Sequence, residues 1–170
     1  EQFPREFTAF AKEVELIQDE QEKVLRALVK AGYRDVWIEG LTPPLESIFP
    51  LICRASARNG LFDSPNPLHV GAVGRLSTLG IVKAHALDTD EGLEAANPID
   101  DQGLLREVSE ADYAKRENLM VRQFKDRKGV VVIVLGGAHD LSDNIPGRVK
   151  LVTVTVKGYA KASGEVDAPK

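Results

Sequence analysis

Residues 131–140 read VVIVLGGAHD, an aliphatic and mostly β-branched run that ends in glycines, an alanine, a histidine and an aspartate. A continuous apolar run without alternation is typical of a strand that is buried on both faces of a parallel sheet. We therefore predict a central strand over residues 130–135. Gly136 and Gly137 let the backbone turn after this strand, and the turn delivers His139 to its carboxyl end.

Helices and strands alternate along the rest of the chain. Apolar spacing predicts a helix over residues 1–31 that Gly32 ends, and DVWIE (residues 35–39) predicts a strand. The other predicted elements are helices over residues 43–58, 71–80, 88–96 and 110–128, and strands over residues 81–87 and 150–156, the last of them an exposed sheet edge. This order predicts a single α/β domain over residues 1–159, with a mixed, mostly parallel sheet and helices on both faces. Residues 160–170 are predicted to form a polar, disordered tail.

The composition narrows the range of partners. The chain has 170 residues and a net charge of −4, and its Lys and Arg residues are interspersed with Asp and Glu. Because they form no basic stripe, we expect no nucleic-acid partner. No apolar run is long enough for a membrane span. The expected ligand is a small molecule or a peptide, and a homodimer is compatible with the sequence.

The single cysteine and the first residue of the chain give little information about function or location. Cys53 lies in the apolar stretch FPLICRA and is interpreted as a packing residue rather than a reactive thiol. The chain begins at Glu1 instead of methionine. A cytoplasmic location and export after removal of a signal peptide therefore both stay open.

Two polar side chains follow predicted strands in the same way. Glu39 closes DVWIE, and His139 follows the turn after VVIVL. Ligand sites of open parallel sheets form outside the carboxyl ends of the strands, so both residues are catalytic candidates. Gly136 and Gly137 are ligand-binding candidates, because their amides can approach an anion. The alternative stays open that Glu39 caps a helix and that His139 only bonds a backbone carbonyl.

Further candidates lie on a helix and on the weaker strand. Arg116 shares a helical stripe with Tyr, Met and Phe, which predicts an inward-facing guanidinium that needs a carboxylate or a bound anion. Snorkelling of this guanidinium to solvent is the alternative. His85 and Asp88 end the segment KAHALD and are ligand-binding candidates at the same sheet edge. Glu117, beside Arg116, is interpreted as a surface residue.

Three segments in this order carry a resemblance: ALVKAGYRDVWIEGL, RENLMVRQF and VVIVLGGAHDLSDNI. A strand ending in glutamate, an arginine early in a helix and a later strand ending in Gly-x-x-His resemble one superfamily. It joins the TraB and Tiki proteins, the erythromycin-esterase-like proteins and the ChaN-type haem-binding lipoproteins. The resemblance implies site roles for Glu39, Arg116, Gly136 and His139.

The branches of this superfamily imply different cofactors. Tiki-type sites are metal-dependent peptidase sites, erythromycin esterases use an activated water, and ChaN-type proteins bind haem. The resemblance therefore implies a divalent metal or a haem, with Glu39 and His139 as the metal ligands. Since zinc sites normally have at least three protein ligands, His85 or Asp88 would have to complete such a site.

One departure from the pattern leaves three functions open. The superfamily normally has an earlier strand that ends in Gly-x-x-His or Gly-Glu-x-His, and the matching region here, AKEVELIQDEQEKVL, contains neither glycine nor histidine. A hydrolase with a pocket at the strand carboxyl ends is the first hypothesis. A non-catalytic binding protein for haem or another small ligand is the second, and a degenerate member that serves as an interaction module is the third.

Overall fold

The computed structural model describes residues 2–58, 70–136 and 139–162. Seven helices and three strands occur in these ranges. The helices are α1 (Gln2–Lys30), α2 (Pro43–Glu46), α3 (Phe49–Arg58), α4 (Ala72–Thr78), α5 (Asp90–Ala95), α6 (Glu110–Phe124) and α7 (Lys157–Ala162), and the strands are β1 (Asp35–Ile38), β2 (Lys83–Ala86) and β3 (Val132–Val134). Gly32 follows α1 with a φ of 97°, so the predicted end of the first helix is confirmed.

The strands form one small sheet in the order β2-β1-β3. β1 and β3 pair in parallel. On the other side of β1, the Lys83 amide donates to the Arg34 carbonyl at 2.8 Å and the Leu87 amide donates to the Ile38 carbonyl at 3.2 Å. Partners that advance together along both strands define a parallel pair. The predicted α/β class and the parallel character of the sheet are confirmed.

The prediction that residues 130–135 form a central strand is wrong. β1 occupies the centre, and β3 is a half-buried edge strand. Its register against β1 places Val36, Trp37 and Ile38 opposite Val132, Ile133 and Val134. An unbroken apolar run indicates that a strand is at least partly buried, but it does not indicate how many neighbouring strands pair with it.

The predicted edge strand over residues 150–156 is also absent from the described residues. Its residues adopt no regular secondary structure, and Val152 and Val154 are 68% and 66% exposed. β-Branched alternation favours extended backbone, yet a strand forms only where another strand accepts its hydrogen bonds. α7 follows this segment and ends at Ala162, and residues 163–170 of the predicted tail lie outside the described residues.

The helix predicted over residues 43–58 is two helices. Thr42 is the N-cap residue of α2 with extended backbone, and Pro43 is its first residue, although the Thr42 side chain makes no capping hydrogen bond. α2 ends at Glu46, where the Ile48 amide donates to the Leu45 carbonyl at 3.2 Å instead of continuing the α-helical pattern. Pro50 lies in the first turn of the next helix, where an N–H has no helical partner to lose. Of the described residues, none lies in a helix that is both long enough and apolar enough to cross a membrane.

The chain forms two compact units. In the unit of residues 1–34, 49–83 and 152–170, α1 packs against α4 and α7, and α3 packs against α4. The unit of residues 35–48 and 84–151 contains the strand ends and a core under the sheet. That core consists of Trp37, Leu87, Met120, Val121, Phe124 and Leu141, with Val131, Ile133, Leu135 and Ile145 packed against it.

Close packing of α3 on α4 depends on Gly74 and Cys53. Cys53 is buried, in agreement with the packing role predicted for it, and burial raises the pKa of its thiol. A Cβ at position 74 would stand 2.9 Å from the Cys53 Sγ and 3.1 Å from a Val70 side-chain carbon. These distances are shorter than van der Waals contact, so glycine lets the helices approach here.

We predict that Gly74→Ala destabilises the protein although alanine is the better helix former. Overpacking costs about 1–3 kcal/mol, whereas the higher helix propensity of alanine recovers about 1 kcal/mol. In a Cys53→Ala background the same change should cost less, because the sulfur no longer occupies the space and only the contact with Val70 remains. Urea unfolding of the four proteins in this double-mutant cycle measures the coupling.

Gly147 supplies the control for this prediction. A Cβ at position 147 would have no atom within 4 Å, so Gly147→Ala adds a methyl group without a steric conflict. Equal losses of unfolding free energy at positions 74 and 147 would contradict the packing argument.

Helix α6 begins with a capping box, for which the sequence carries the signal: Ser109 and Asp112 are three residues apart, with Asp in place of the usual Glu. The Asp112 amide donates to the Ser109 Oγ at 3.2 Å, and the Ser109 amide donates to the Asp112 Oδ2 at 3.3 Å. The Ser109 hydroxyl also donates to Asp112 Oδ2 at 2.8 Å. These bonds, led by the one from the Ser109 side chain, lower the pKa of the Asp112 carboxyl below its ordinary value of 3.8.

We predict that Asp112→Asn lowers the unfolding temperature near neutral pH and that the difference from wild type disappears in acid. Because the folded pKa of Asp112 is below the unfolded value, its contribution is present above pH 3.8 and is lost as the pH falls through the folded pKa. Thermal unfolding followed by circular dichroism across this range measures the difference. Asp101→Asn, at an exposed turn, is the control, and a pH-independent Asp112→Asn effect would contradict the assignment.

Candidate active site

The carboxyl ends of all three strands contribute side chains to one cluster. Glu39 follows β1 directly, Asp88 lies just beyond β2, and His139 lies five residues beyond the end of β3. Helix α6 adds Arg116 and Glu117. We call these five residues the charged cluster. The carboxyl ends of parallel strands lie at one edge of a sheet, which is why residues so distant in sequence meet here.

Asp88 and Arg116 form the buried centre of the charged cluster. The Asp88 side chain is 0% exposed and the Arg116 side chain 12%. Arg116 Nε donates to Asp88 Oδ1 and Nη2 donates to Oδ2, both at 2.8 Å, in a bidentate pair. The Gly40 amide also donates to Asp88 Oδ2 at 2.7 Å. This pairing, mainly the hydrogen bonds to Asp88, raises the pKa of the Arg116 guanidinium, although burial opposes it.

Glu39 is held by two donors. Arg116 Nη2 donates to its Oε1 at 3.1 Å, and the Gly136 amide donates to its Oε2 at 2.6 Å. A Cβ at position 136 would stand 2.9 Å from that Oε2, so glycine permits the close approach. The Glu39 side chain is 25% exposed, more than the other carboxylates of the cluster. It is therefore the cluster carboxylate that faces solvent.

His139 lies with each ring nitrogen beside a charged side chain. Its Nε2 is 3.1 Å from Arg116 Nη1 and 3.3 Å from Glu39 Oε1, and its Nδ1 is 3.1 Å from Glu117 Oε1. The side chain is 3% exposed, and the ring of Tyr113 stands edge-on at 6.2 Å between centroids. The structure thus brings the predicted catalytic residues Glu39, Arg116 and His139 within hydrogen-bonding distance of one another.

Glu117 was predicted to be a surface residue, and this prediction is wrong. Its side chain is 15% exposed and contacts His139. The sequence carried a signal for this position: Glu117 lies three residues before Met120 and four before Val121, and both of these are buried. Residues at these spacings share a helix face, so the pattern was consistent with an inward direction for Glu117.

The balance of charge in the cluster is negative. Two carboxylates, Asp88 and Glu39, accept from the one guanidinium, and a third, Glu117, contacts His139. Four of the five N–H groups of Arg116 are directed at Asp88, Glu39 and His139, which leaves at most one for a ligand. Arg116 therefore serves this arrangement as an internal counter-ion.

His85 does not join the cluster. Its Nδ1 lies 2.9 Å from Glu46 Oε1, its Nε2 lies 2.6 Å from Asp35 Oδ1, and its ring stacks on Trp37 at 4.6 Å. Glu46 Oε2 also accepts from the Ala86 amide at 2.9 Å, so this histidine ties β2 to α2. Of the other ligand-binding candidates, Asp88 and Gly136 belong to the cluster, and Gly137 lies outside the described residues.

The cluster does not fit a metal ion. Within the described ranges, no group of three or more His, Cys, Asp or Glu side chains is arranged to hold one. The predicted ligand atoms, Glu39 Oε1 and His139 Nε2, each lie 3.1 Å from the cationic guanidinium of Arg116. A metal ion at these atoms would meet a like charge and lone pairs that already accept hydrogen bonds.

The two described histidines are not poised to ligate a haem iron. Both ring nitrogens of His85 and of His139 lie within hydrogen-bonding distance of other side chains. The third histidine, His69, is outside the described residues. A haem iron would need one of the described rings to give up a hydrogen bond first.

A surface groove of about 520 Å³ lies along α5 and α6. Its lining consists of Glu91, Ala111, Ala114, Lys115, Asn118, Leu119 and Arg122. Glu91 and Lys115 form an ion pair across it at 3.0 Å, and both side chains are at least half exposed. None of the cluster residues lines this groove, so it gives no independent support for the predicted pocket at the strand ends.

Comparisons with known proteins identify no relative of this chain. No protein-family model, no curated protein and no solved structure matches the chain.

We predict that Asp88→Ala is among the most damaging single substitutions in this unit. It removes the bidentate partner of a guanidinium that is 12% exposed, and breaking a buried ion pair from one side costs about 3–5 kcal/mol. Urea unfolding at neutral pH measures the change in the free energy of unfolding. Asp143→Asn, at an exposed position, should stay within about 0.5 kcal/mol of wild type. A loss below about 1 kcal/mol for Asp88→Ala would contradict the central role of the pair.

Proposed function

We propose that the charged cluster is a hydrolytic acid–base site that activates water, of the kind the resemblance to the erythromycin-esterase branch implies. The observation that carries the proposal is the position of the Glu39 carboxylate. It faces solvent, two donors fix its direction, and its Oε1 lies 3.3 Å from His139 Nε2. A fixed carboxylate backed by an imidazole is a suitable acceptor for the proton of an attacking water.

In the proposed reaction Glu39 accepts a proton from water and later donates it to the departing alcohol oxygen. A water beside Glu39 gives a proton to the carboxylate while its oxygen forms a bond to the carbonyl carbon of an ester. The tetrahedral intermediate collapses, the bond from this carbon to the alcohol oxygen breaks, and the departing oxygen takes the proton. Acid and alcohol are formed and Glu39 is restored. His139 Nε2, 3.3 Å from Glu39 Oε1, can hold the proton between these steps.

The charges of the cluster favour a neutral substrate. A guanidinium in such a site could hold a substrate carboxylate, but the N–H groups of Arg116 are directed at Asp88, Glu39 and His139. Because the cluster contains three carboxylates and one guanidinium, an anionic substrate would be repelled. We propose that Arg116 steadies Glu39 and that the substrate is an uncharged ester.

The other two functions are less well supported by this geometry. A haem-binding role would need a histidine nitrogen that is free, and neither His85 nor His139 has one among the described contacts. A degenerate interaction module would not need the buried, fully partnered Asp88 and Arg116 at the strand ends.

We also propose that helices cover both faces of the sheet and that the chain forms a single domain.

The proposal predicts hydrolysis of neutral nitrophenyl esters that depends on Glu39 and His139. Glu39→Gln and His139→Gln should each lower kcat/KM by about 10²–10⁴-fold, because general acid–base groups contribute factors of this size. A nitrophenyl ester with a free carboxylate on its acyl group should react more slowly than its neutral counterpart. Release of nitrophenolate, followed by absorbance, measures each rate.

Glu91→Gln is the matched control, since Glu91 is 62% exposed and lines the groove, which none of the cluster residues lines. It should leave the rate unchanged. Absence of hydrolysis above the buffer rate, or a Glu39→Gln variant as fast as wild type, would overturn the proposal. Saturable binding of haemin that His139→Gln abolishes would replace it with the haem-binding alternative.

A further inference from the structure

We infer that Glu117 is a positioning residue that fixes His139 in the tautomer with the proton on Nδ1. The inference rests on the proposed function for its catalytic meaning, while its geometry stands independently of any substrate. Glu117 Oε1 lies 3.1 Å from His139 Nδ1, and both side chains are largely buried. No role for Glu117 followed from the sequence pattern that singled out its neighbour Arg116.

The contact with the Arg116 guanidinium favours one tautomer of the His139 ring. Arg116 Nη1 lies 3.1 Å from His139 Nε2 and can only donate, whereas the competing acceptor Glu39 Oε1 is farther away, at 3.3 Å. The nearer partner therefore favours Nε2 of the neutral ring as an acceptor. The single proton of the neutral ring is then on Nδ1, and Glu117 Oε1 is its acceptor at 3.1 Å. The opposite tautomer would set an N–H of His139 against an N–H of Arg116 and leave Glu117 facing a lone pair.

One turn of α6 supplies both contacts to the ring. Arg116 and Glu117 are adjacent in sequence, and they reach opposite nitrogens of the same imidazole. Tyr113, one turn earlier on α6, contacts the ring edge-on. A ring with 3% exposure that is held at both nitrogens has little freedom to rotate. The helix therefore sets the direction of Nε2 toward Glu39.

Glu117 has a second effect when His139 receives a proton. If Nε2 takes the proton that Glu39 accepted from water, the imidazolium lies between Glu39 and Glu117, at 3.3 Å and 3.1 Å. The N–H of Nε2 then points to Glu39 Oε1 and no longer accepts from Arg116 Nη1, 3.1 Å away. Because the guanidinium repels the imidazolium, Coulomb attraction from the two flanking carboxylates is needed to offset this repulsion. The same residue thus orients the neutral ring and supports the charged one, in the way that a carboxylate behind a catalytic histidine does.

Nitrogen NMR of histidine-labelled protein tests the inference without any substrate. The chain has three histidines, so His69→Gln and His85→Gln variants assign the His139 signals. At a pH where the ring is neutral, Nδ1 of His139 should show the shift of a protonated nitrogen, and Nε2 that of an unprotonated one. Glu117→Ala should remove this preference, whereas Glu117→Gln should keep it, because the amide oxygen still accepts from Nδ1.

The two Glu117 variants also separate charge from orientation in the ester assay. Glu117→Gln should lower kcat roughly 10–100-fold with KM nearly unchanged, since the ring stays oriented but the imidazolium loses one carboxylate. Glu110→Gln, an exposed position in the first turn of the same helix, is the control and should match wild type in both measurements. Circular dichroism confirms that each variant is folded, and Glu117→Gln serves alone if Glu117→Ala does not fold.

The outcomes distinguish this inference from the proposed function. A wild-type His139 with its proton on Nε2, or a Glu117→Ala variant with an unchanged tautomer, would overturn the role of Glu117 whatever the enzyme does. The expected tautomer without ester hydrolysis would support Glu117 and overturn only the hydrolytic proposal. Hydrolysis that Glu117→Gln leaves unaltered would overturn the stabilisation of the imidazolium.

Discussion

The bidentate pair between Asp88 and Arg116 is the interaction on which the rest of the site depends. A carboxylate with 0% exposure is tolerated only if its charge is matched and its oxygens are bonded, and Arg116 and the Gly40 amide meet both needs. Because the pair fixes the guanidinium, the remaining N–H groups point in set directions. One of them reaches Glu39 and another reaches His139.

The pair also joins elements that the chain order keeps apart. Asp88 follows β2, and Arg116 lies on α6. The guanidinium also contacts Glu39, which follows β1, and His139, which lies beyond β3. Glu39 completes the connection by accepting from the Gly136 amide at 2.6 Å. Strand ends, helix and turn are therefore held by a single set of charge-assisted hydrogen bonds, which are stronger and more directional than those between neutral groups. Fixed geometry of this kind is what an acid–base site needs, since proton transfer depends on short, aligned distances.

Individual residues show how far the sequence reaches. Glu39 and His139 could be placed together because both follow segments with strand patterns, and strand ends of parallel sheets meet at one edge. His85 was predicted to lie at the same sheet edge as Asp88, but its side chain contacts Asp35 and Glu46 instead. Side chains in a strand alternate between the two faces of the sheet, so a polar residue within the strand can bind partners away from the strand ends. Glu117 was missed because a charged residue on a helix is normally solvated, and only a partner brought by another element makes its burial favourable.

The sequence by itself determined the α/β class, the capping box of α6, the end of α1 at Gly32 and the presence of polar residues at the strand ends. These features are local, since helix periodicity, caps and glycine turns depend on neighbours within a few residues. Only the tertiary structure decided that β1 rather than β3 is central, that residues 150–156 form no strand, and that Glu117 faces His139. Each of these depends on which partner arrives from a distant part of the chain, and hydrogen bonds and charges are satisfied by such partners rather than by sequence pattern.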